Sequence, residues 1–188
     1  DAWLRVVQVA VGAVFFFWPV VRWVNRRIDS AREMACDAHA VALGPQMTKN
    51  GHGLLHNASI IGPRTPIEQL SGENFMRVMQ VNVNAMFMLT STLLPLLKLS
   101  QDASVVFTSS SVGRKGRAYW GAYGVSKFAT EGLMQTLADE VENVAPVRSN
   151  SINPGATRTS MRAQAYPGEN PLNNPTPEEI MPVYLYLM

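Results

Sequence analysis

Disulfide frameworks, charge runs and histidine clusters are all missing from these 188 residues. The single cysteine, Cys36, leaves no internal disulfide to form and fits a reducing compartment. Charged side chains make up only 16% and the net charge is +2, so no nucleic-acid partner is expected. With three histidines and no H-E-x-x-H helix, no metal site is predicted. There is no internal repeat and no low-complexity tract. Gly12, Gly44, Gly51 and Gly53 lack the spacing and the strand–helix context of a dinucleotide-binding loop. The chain begins with Asp1 instead of methionine, which reads as a processed chain or a fragment.

What is present falls into two parts, residues 1–50 and 54–188. Val6 to Val21 is free of charge and bounded by Arg5 and Arg22. A bilayer core takes about 20 apolar residues, so a transmembrane helix over 6–21 and a buried helix of a soluble core both remain open. Trp3, Trp18 and Trp23, with Arg22, Arg26 and Arg27, have the placing of interfacial anchors. An amphipathic stretch follows, in which Glu33, Cys36 and Asp37 form an E-x-x-C-D pattern. That stretch resembles membrane metallopeptidases of the BlaR/MecR type over residues 1–45. Its partner helix with two histidines is absent, and one carboxylate does not hold a catalytic zinc. The polar run from Pro45 to Gly53 is the expected boundary.

Beyond it, strands and helices alternate. Gly53–His56 reads as a short strand, Ser104–Thr108 as a β-branched buried strand, and Val147–Ile152 as a third. A long helix is expected from Ser71, its N-cap, through Phe75 to Leu94 or beyond. Tyr119–Val141 is expected to be helical, with Val125, Phe128, Ala129, Leu133, Leu137 and Val141 on one apolar face. Thr176–Pro177–Glu178–Glu179 carries a capping hydroxyl, a first-turn proline and a third-position glutamate, a strong helix start. This order predicts an α/β fold with a parallel sheet covered on both faces.

The chemistry gathers around Tyr123 and Lys127. Four apart on a helix, they share a face. Tyrosine has a pKa near 10, too high for ready proton exchange at neutral pH, and an ammonium one turn away would favour the phenolate. The pair alone is weak evidence. Its context is stronger: Ser110 lies thirteen residues earlier at the C-terminal end of a strand, where α/β proteins bind ligands. A serine hydroxyl there can donate to a carbonyl oxygen and stabilise developing charge. Asn57 follows the first strand, Asn82 sits within the long helix, and Pro154, Gly155 and Thr159 follow the third strand.

Together these residues resemble the short-chain dehydrogenase/reductase family, from about Leu54 to Met188. The family's N-N-A-G motif corresponds to His56, Asn57, Ala58 and Ser59, its helix asparagine to Asn82, and its serine to Ser110. Its Y-x-x-x-K corresponds to Tyr123 and Lys127, and its P-G-x-x-x-T turn to Pro154, Gly155 and Thr159. The resemblance implies a partial Rossmann-like sheet lacking its first strands. It also implies NAD or NADP as cofactor, held by Asn57, Ala58, Tyr123, Lys127, Pro154, Gly155 and Thr159. The substrate would be a small carbonyl or alcohol. Tyr123 would carry the proton, Lys127 would tune it and hold the nicotinamide ribose, Ser110 would orient the oxygen, and Asn82 would hold a water. A homodimer through helices 75–94 and 119–141 is implied, and a cytoplasmic location for the oxidoreductase part, with anchoring where 6–21 spans.

Plainer readings stand beside these. Asn82 can be a buried amide satisfied by backbone, and Ser110 lies in a triple serine whose register is open by one. His56 reads as a satisfied strand-end residue, and Arg114, Lys115 and Arg117 as a solvated loop. Because the Gly-rich loop is absent, a non-catalytic fused fragment or a membrane-tethered dimerisation module is the alternative to an active oxidoreductase.

Overall fold

The structure is a computed structural model that describes residues 51–188. The helical segment expected over 1–50, the span at 6–21 and the Glu33–Cys36–Asp37 pattern lie outside the described residues. Among the described residues, no helix is long and apolar enough to cross a membrane.

Three parallel strands form a sheet in the order β1 (Gly51–His56), β2 (Asp102–Thr108), β3 (Val147–Ile152). Leu54 pairs with Val105, and Val105 with Ser149. β1 starts at Gly51, inside the polar run expected to be a turn, because its backbone pairs with β2 whatever its side chains favour. β2 is central, and Ala103 to Phe107 are buried on both of its faces. Its odd positions, Ala103, Val105 and Phe107, pack with Leu54, Met86, Leu97, Leu137, Val141 and Val147 in the main core. At the even position Ser104, the side chain donates to the Leu187 carbonyl at the end of the last helix. The sheet is therefore covered on both faces, as the alternating pattern required.

The connections are helical. α1 (Gly72–Met79) is capped by Ser71, whose hydroxyl accepts from the Asn74 amide at 3.2 Å. The single helix expected from Phe75 to Leu94 is interrupted. Gln80–Asn84 forms one wide π turn, closed by the Ala85 amide on the Gln80 carbonyl, before α2 (Ala85–Leu97) resumes. Such one-residue insertions are frequent at functional sites. α3 (Gly121–Val141) joins β2 to β3, and a short α4 (Ser160–Ala165) follows β3. α5 (Pro177–Leu187) begins with the reciprocal capping box between Thr176 and Glu179 that the sequence signalled.

Two expectations for α3 are corrected. It begins at Gly121, because Tyr119 takes a left-handed backbone (φ 69°) that no α-helix continues through. Val125 and Phe128 are 47% and 46% exposed, so they do not share the buried face. The inward stripe near the helix start is Tyr123, Ser126, Lys127, Thr130 and Glu131, all buried. Polar residues occupy that face because the site needs them there, so hydrophobicity marks the wrong side.

Candidate active site

The site forms at the C-terminal ends of the strands, where β2 runs out into Ser109 and Ser110 and α3 passes alongside. Its closeness depends on Gly113, in the turn after Ser110. A Cβ there would lie 2.8 Å from the Lys127 carbonyl oxygen, so only glycine lets the turn approach the α3 backbone.

Lys127 is buried, and its Nζ donates to the Thr108 carbonyl at 2.8 Å. The Thr108 hydroxyl donates to Asn57 Oδ1 at 2.9 Å and lies 3.2 Å from the Tyr184 hydroxyl. Lysine, strand end and post-β1 asparagine thus form one network. Tyr123 is buried, its ring centroid 5.4 Å from Lys127 Nζ, and the Ser110 side chain lies near enough to its hydroxyl to favour ionisation. Of the three serines, 110 is the one that meets Tyr123. Ser109 is turned inward, its hydroxyl buried and without a partner among the described residues.

The expectation that Lys127 lowers the Tyr123 pKa is not what this arrangement does. Burial raises the Tyr123 pKa, the nearby Ser110 side chain opposes that rise, and the neighbouring Tyr184 adds to it. Burial also lowers Lys127 to about 8, so it stays mostly charged at neutrality but releases its proton well before an exposed lysine would. A protonated Tyr123 is a proton donor at neutral pH.

Asn82, buried in the π turn, uses its whole side chain. Oδ1 accepts from the Ile60 amide at 2.8 Å, and Nδ2 donates to the Ile60 carbonyl at 2.9 Å and Ser126 Oγ at 3.0 Å. Ser126 Oγ donates in turn to the Tyr123 carbonyl at 2.8 Å. Asn82 therefore ties the post-β1 segment to the helix that carries Tyr123, which is the plainer of its two readings. The plainer reading also holds for His56. Thr90 donates to the Met86 carbonyl, so His56 Nε2 donates to Thr90 Oγ1 at 2.8 Å while the ring stacks on Phe107. Burial lowers the His56 pKa to about 4. Arg114 is paired with the buried Glu131 at 3.4 Å, while Lys115 and Arg117 are exposed.

The residues expected to hold a cofactor line the same end of the sheet. Ala58 is exposed beside Asn57. Pro154 and Gly155 form the turn after β3, where Gly155 takes φ 73° and is exposed. Thr159 caps α4, accepting from the Arg162 amide at 3.1 Å. Within these two segments, Ser59 Oγ and Thr157 Oγ1 are buried without partners among the described residues. Orphaned hydroxyls beside Asn57 and Gly155 are groups that a bound polar cofactor would satisfy, so this chemistry fits a dinucleotide end.

Sequence reasoning missed Thr108, Tyr184, Trp120, Tyr166 and Arg64. Trp120 lies 5.6 Å from the Tyr123 ring and 6.1 Å from Tyr166, centroid to centroid. Ile61, Val112 and Ala165 pack with Tyr123, and Met161 joins them, giving Tyr123 an apolar wall. Only Trp120, directly before the helix that carries Tyr123, could have been suspected from its place in the sequence.

Known proteins share this fold. Residues 26–170 match the family model described as short chain dehydrogenase, a range that includes Glu33, Cys36 and Asp37, which the sequence reading set apart. The chain is 59% identical over 136 residues to the uncharacterized oxidoreductase YciK of Escherichia coli K12, covering 72% of this chain and 53% of that protein. A short-chain dehydrogenase structure from Pseudomonas syringae matches with a TM-score of 0.71 at 83% identity, covering 72% of this chain and 55% of that one. One from Shigella flexneri, solved with NADP, matches with a TM-score of 0.69 at 58% identity, covering 72% and 56%. The chain spans about half the length of the curated relatives it matches.

Proposed function

This chain belongs to the short-chain dehydrogenase family, and from that premise we propose that it reduces a small carbonyl compound with NADP as cofactor. The observation that carries the reading is the buried Tyr123 beside Ser110, with Lys127 one turn away and anchored on the end of β2. When bound, the nicotinamide supplies the hydride. The protein's part is to hold the carbonyl oxygen and protonate it. Ser110 donates a hydrogen bond toward the oxygen and shares its developing charge. Tyr123, kept protonated by burial, delivers a proton to the same atom. Asn82 is a positioning residue, acting through Ile60 and Ser126. NADP follows the Shigella flexneri relative, with Asn57, Ala58, Tyr123, Lys127, Pro154, Gly155 and Thr159 as the residues that would hold its nicotinamide end. A cytoplasmic setting for residues 54–188 belongs to the same reading, since they hold no cysteine and need no oxidising compartment.

Titrating the purified chain with NADPH, followed by nicotinamide fluorescence, tests the reading. Saturable binding supports it. No binding at millimolar cofactor makes the chain a non-catalytic member of its family, or the membrane-tethered dimerisation module weighed beside it.

We also infer self-association. Phe87 is 55% exposed and Phe128 46%, and Met76, Leu89 and Val125 are exposed as well, more apolar surface than isolated helices need to present. Sedimentation velocity of the chain and of Phe128→Glu checks this: a dimer that the substitution dissociates supports it, and a monomeric parent chain overturns it.

A further inference from the structure

We propose that Arg64 recognises an anionic group on the substrate, so that the site selects flat carbonyl compounds carrying a carboxylate or a phosphate. The inference rests on the oxidoreductase reading for the word substrate, but the recognition stands on its own geometry. Arg64 lies in the segment after β1, exposed at one end and stacked at the other. Its guanidinium sits 4.5 Å from the Trp120 ring centroid and 5.2 Å from that of Tyr166, and one nitrogen donates to the Ala165 carbonyl. Trp120 is the ring that packs on Tyr123. The cation is therefore two ring contacts from the proton-donating hydroxyl, on the wall formed by Ile61, Val112 and Ala165.

Three other arginines are paired with carboxylates, and Arg158 is turned onto the Pro171 and Asn174 carbonyls. Arg162 lies over the Tyr166 ring at 3.8 Å but is held at 2.6 Å by both carboxylate oxygens of Glu169, which Asn174 also engages. Arg114 and Arg148 have Glu131 and Asp102. Arg64 forms no ion pair among the described residues. A guanidinium has five donors in a planar fork, and the Ala165 carbonyl takes one. Stacking on Trp120 and Tyr166 fixes that plane, which favours two-point contact with an oxyanion over contact with a neutral group. The wall beside it, of Ile61, Val112, Ala165 and the Trp120 ring, is apolar and aromatic, which suits a flat apolar body better than a polar one.

Calorimetric titration of the full chain without cofactor, using 4-formylbenzoate, its methyl ester and 4-formylphenyl phosphate, tests this directly. One of the two anions should bind at least about tenfold more tightly than the ester. Which anion wins identifies the group as carboxylate or phosphate. Arg64→Gln should erase the preference and leave ester binding unchanged, and Arg64→Lys should keep part of it. Equal binding of ester and anions by the parent chain overturns the proposal. So does an Arg64→Gln chain that loses all three ligands alike, because that is the result of a merely structural tie to Ala165. A variant that loses NADPH instead assigns Arg64 to the cofactor and also overturns it. If Arg64→Gln does not fold, the anion-to-ester ratio of the parent chain and its weakening with salt decide the matter. Failure of the parent chain to bind NADPH removes the oxidoreductase reading without touching the anion measurement.

Discussion

Lys127 Nζ donates to the main-chain carbonyl of Thr108 across 2.8 Å, joining the second turn of α3 to the last residue of β2. The lysine is thus held by backbone and not by a carboxylate. Among the described residues no carboxylate pairs with it, and burial lowers its pKa to about 8.

The sign of the resulting pH dependence is fixed. Between about pH 8 and 10.5 the unfolded chain holds a proton on this lysine that the folded chain has released, so stability rises with pH across that window. Comparison with Lys127→Met cancels the other titrations. The difference between parent and variant should grow by at most about 3 kcal/mol from pH 8 to 10, measured by urea denaturation. A constant difference would contradict the burial argument.

Tyr123→Phe keeps the ring against Trp120 and removes the proton. Carbonyl reduction should fall by about 10²–10⁴ while NADPH affinity changes less than about twofold. Steady-state rates paired with a cofactor titration separate the two effects. Full activity in the variant would assign the proton to another group.

Removing the Asn82 amide leaves the Ile60 amide and carbonyl and Ser126 without their partner. Asn82→Ala should lower unfolding stability by about 3 kcal/mol, because these groups lie in or beside the core. The urea midpoint reads it. A loss of activity with no loss of stability would mean that the side chain acts on the reaction itself.

His56 is held neutral, with a pKa lowered to about 4 by burial. Its contribution is present above the unfolded value of 6.5 and is lost as pH falls toward 4. Acidification over that window should destabilise the chain by up to about 3 kcal/mol through this residue. His56→Gln should flatten the dependence, as followed by thermal melts between pH 7 and 4.5.

The sequence carried the alternation of strands and helices, the caps at Ser71 and Thr176, and the positions of Ser110, Tyr123 and Lys127. Those features are local: a hydroxyl three residues before a glutamate, or two side chains four apart, is visible in one window. What stayed hidden depends on distant pairing. β1 gained Gly51 and His52 from its neighbour β2, not from its own composition. The buried face of α3 was misread because Tyr123, Ser126, Lys127 and Glu131 take the inward positions that apolar residues would otherwise mark. Arg64 and Tyr166 come together from segments about a hundred residues apart, and nothing in either segment signals the other.

The π turn at Gln80–Asn84 places a constraint of another kind, on chain length. The wide turn takes up one residue more than α winding needs, so the helix beyond it keeps the facing of an uninterrupted one. Losing one residue here would restore regular winding and leave Met86, Thr90 and Leu97 turned toward the sheet, with Thr90 still on His56. Gaining another, with no second wide turn to absorb it, would swing everything beyond by about 100°. The segment is a spacer that can be shortened by one residue more readily than lengthened.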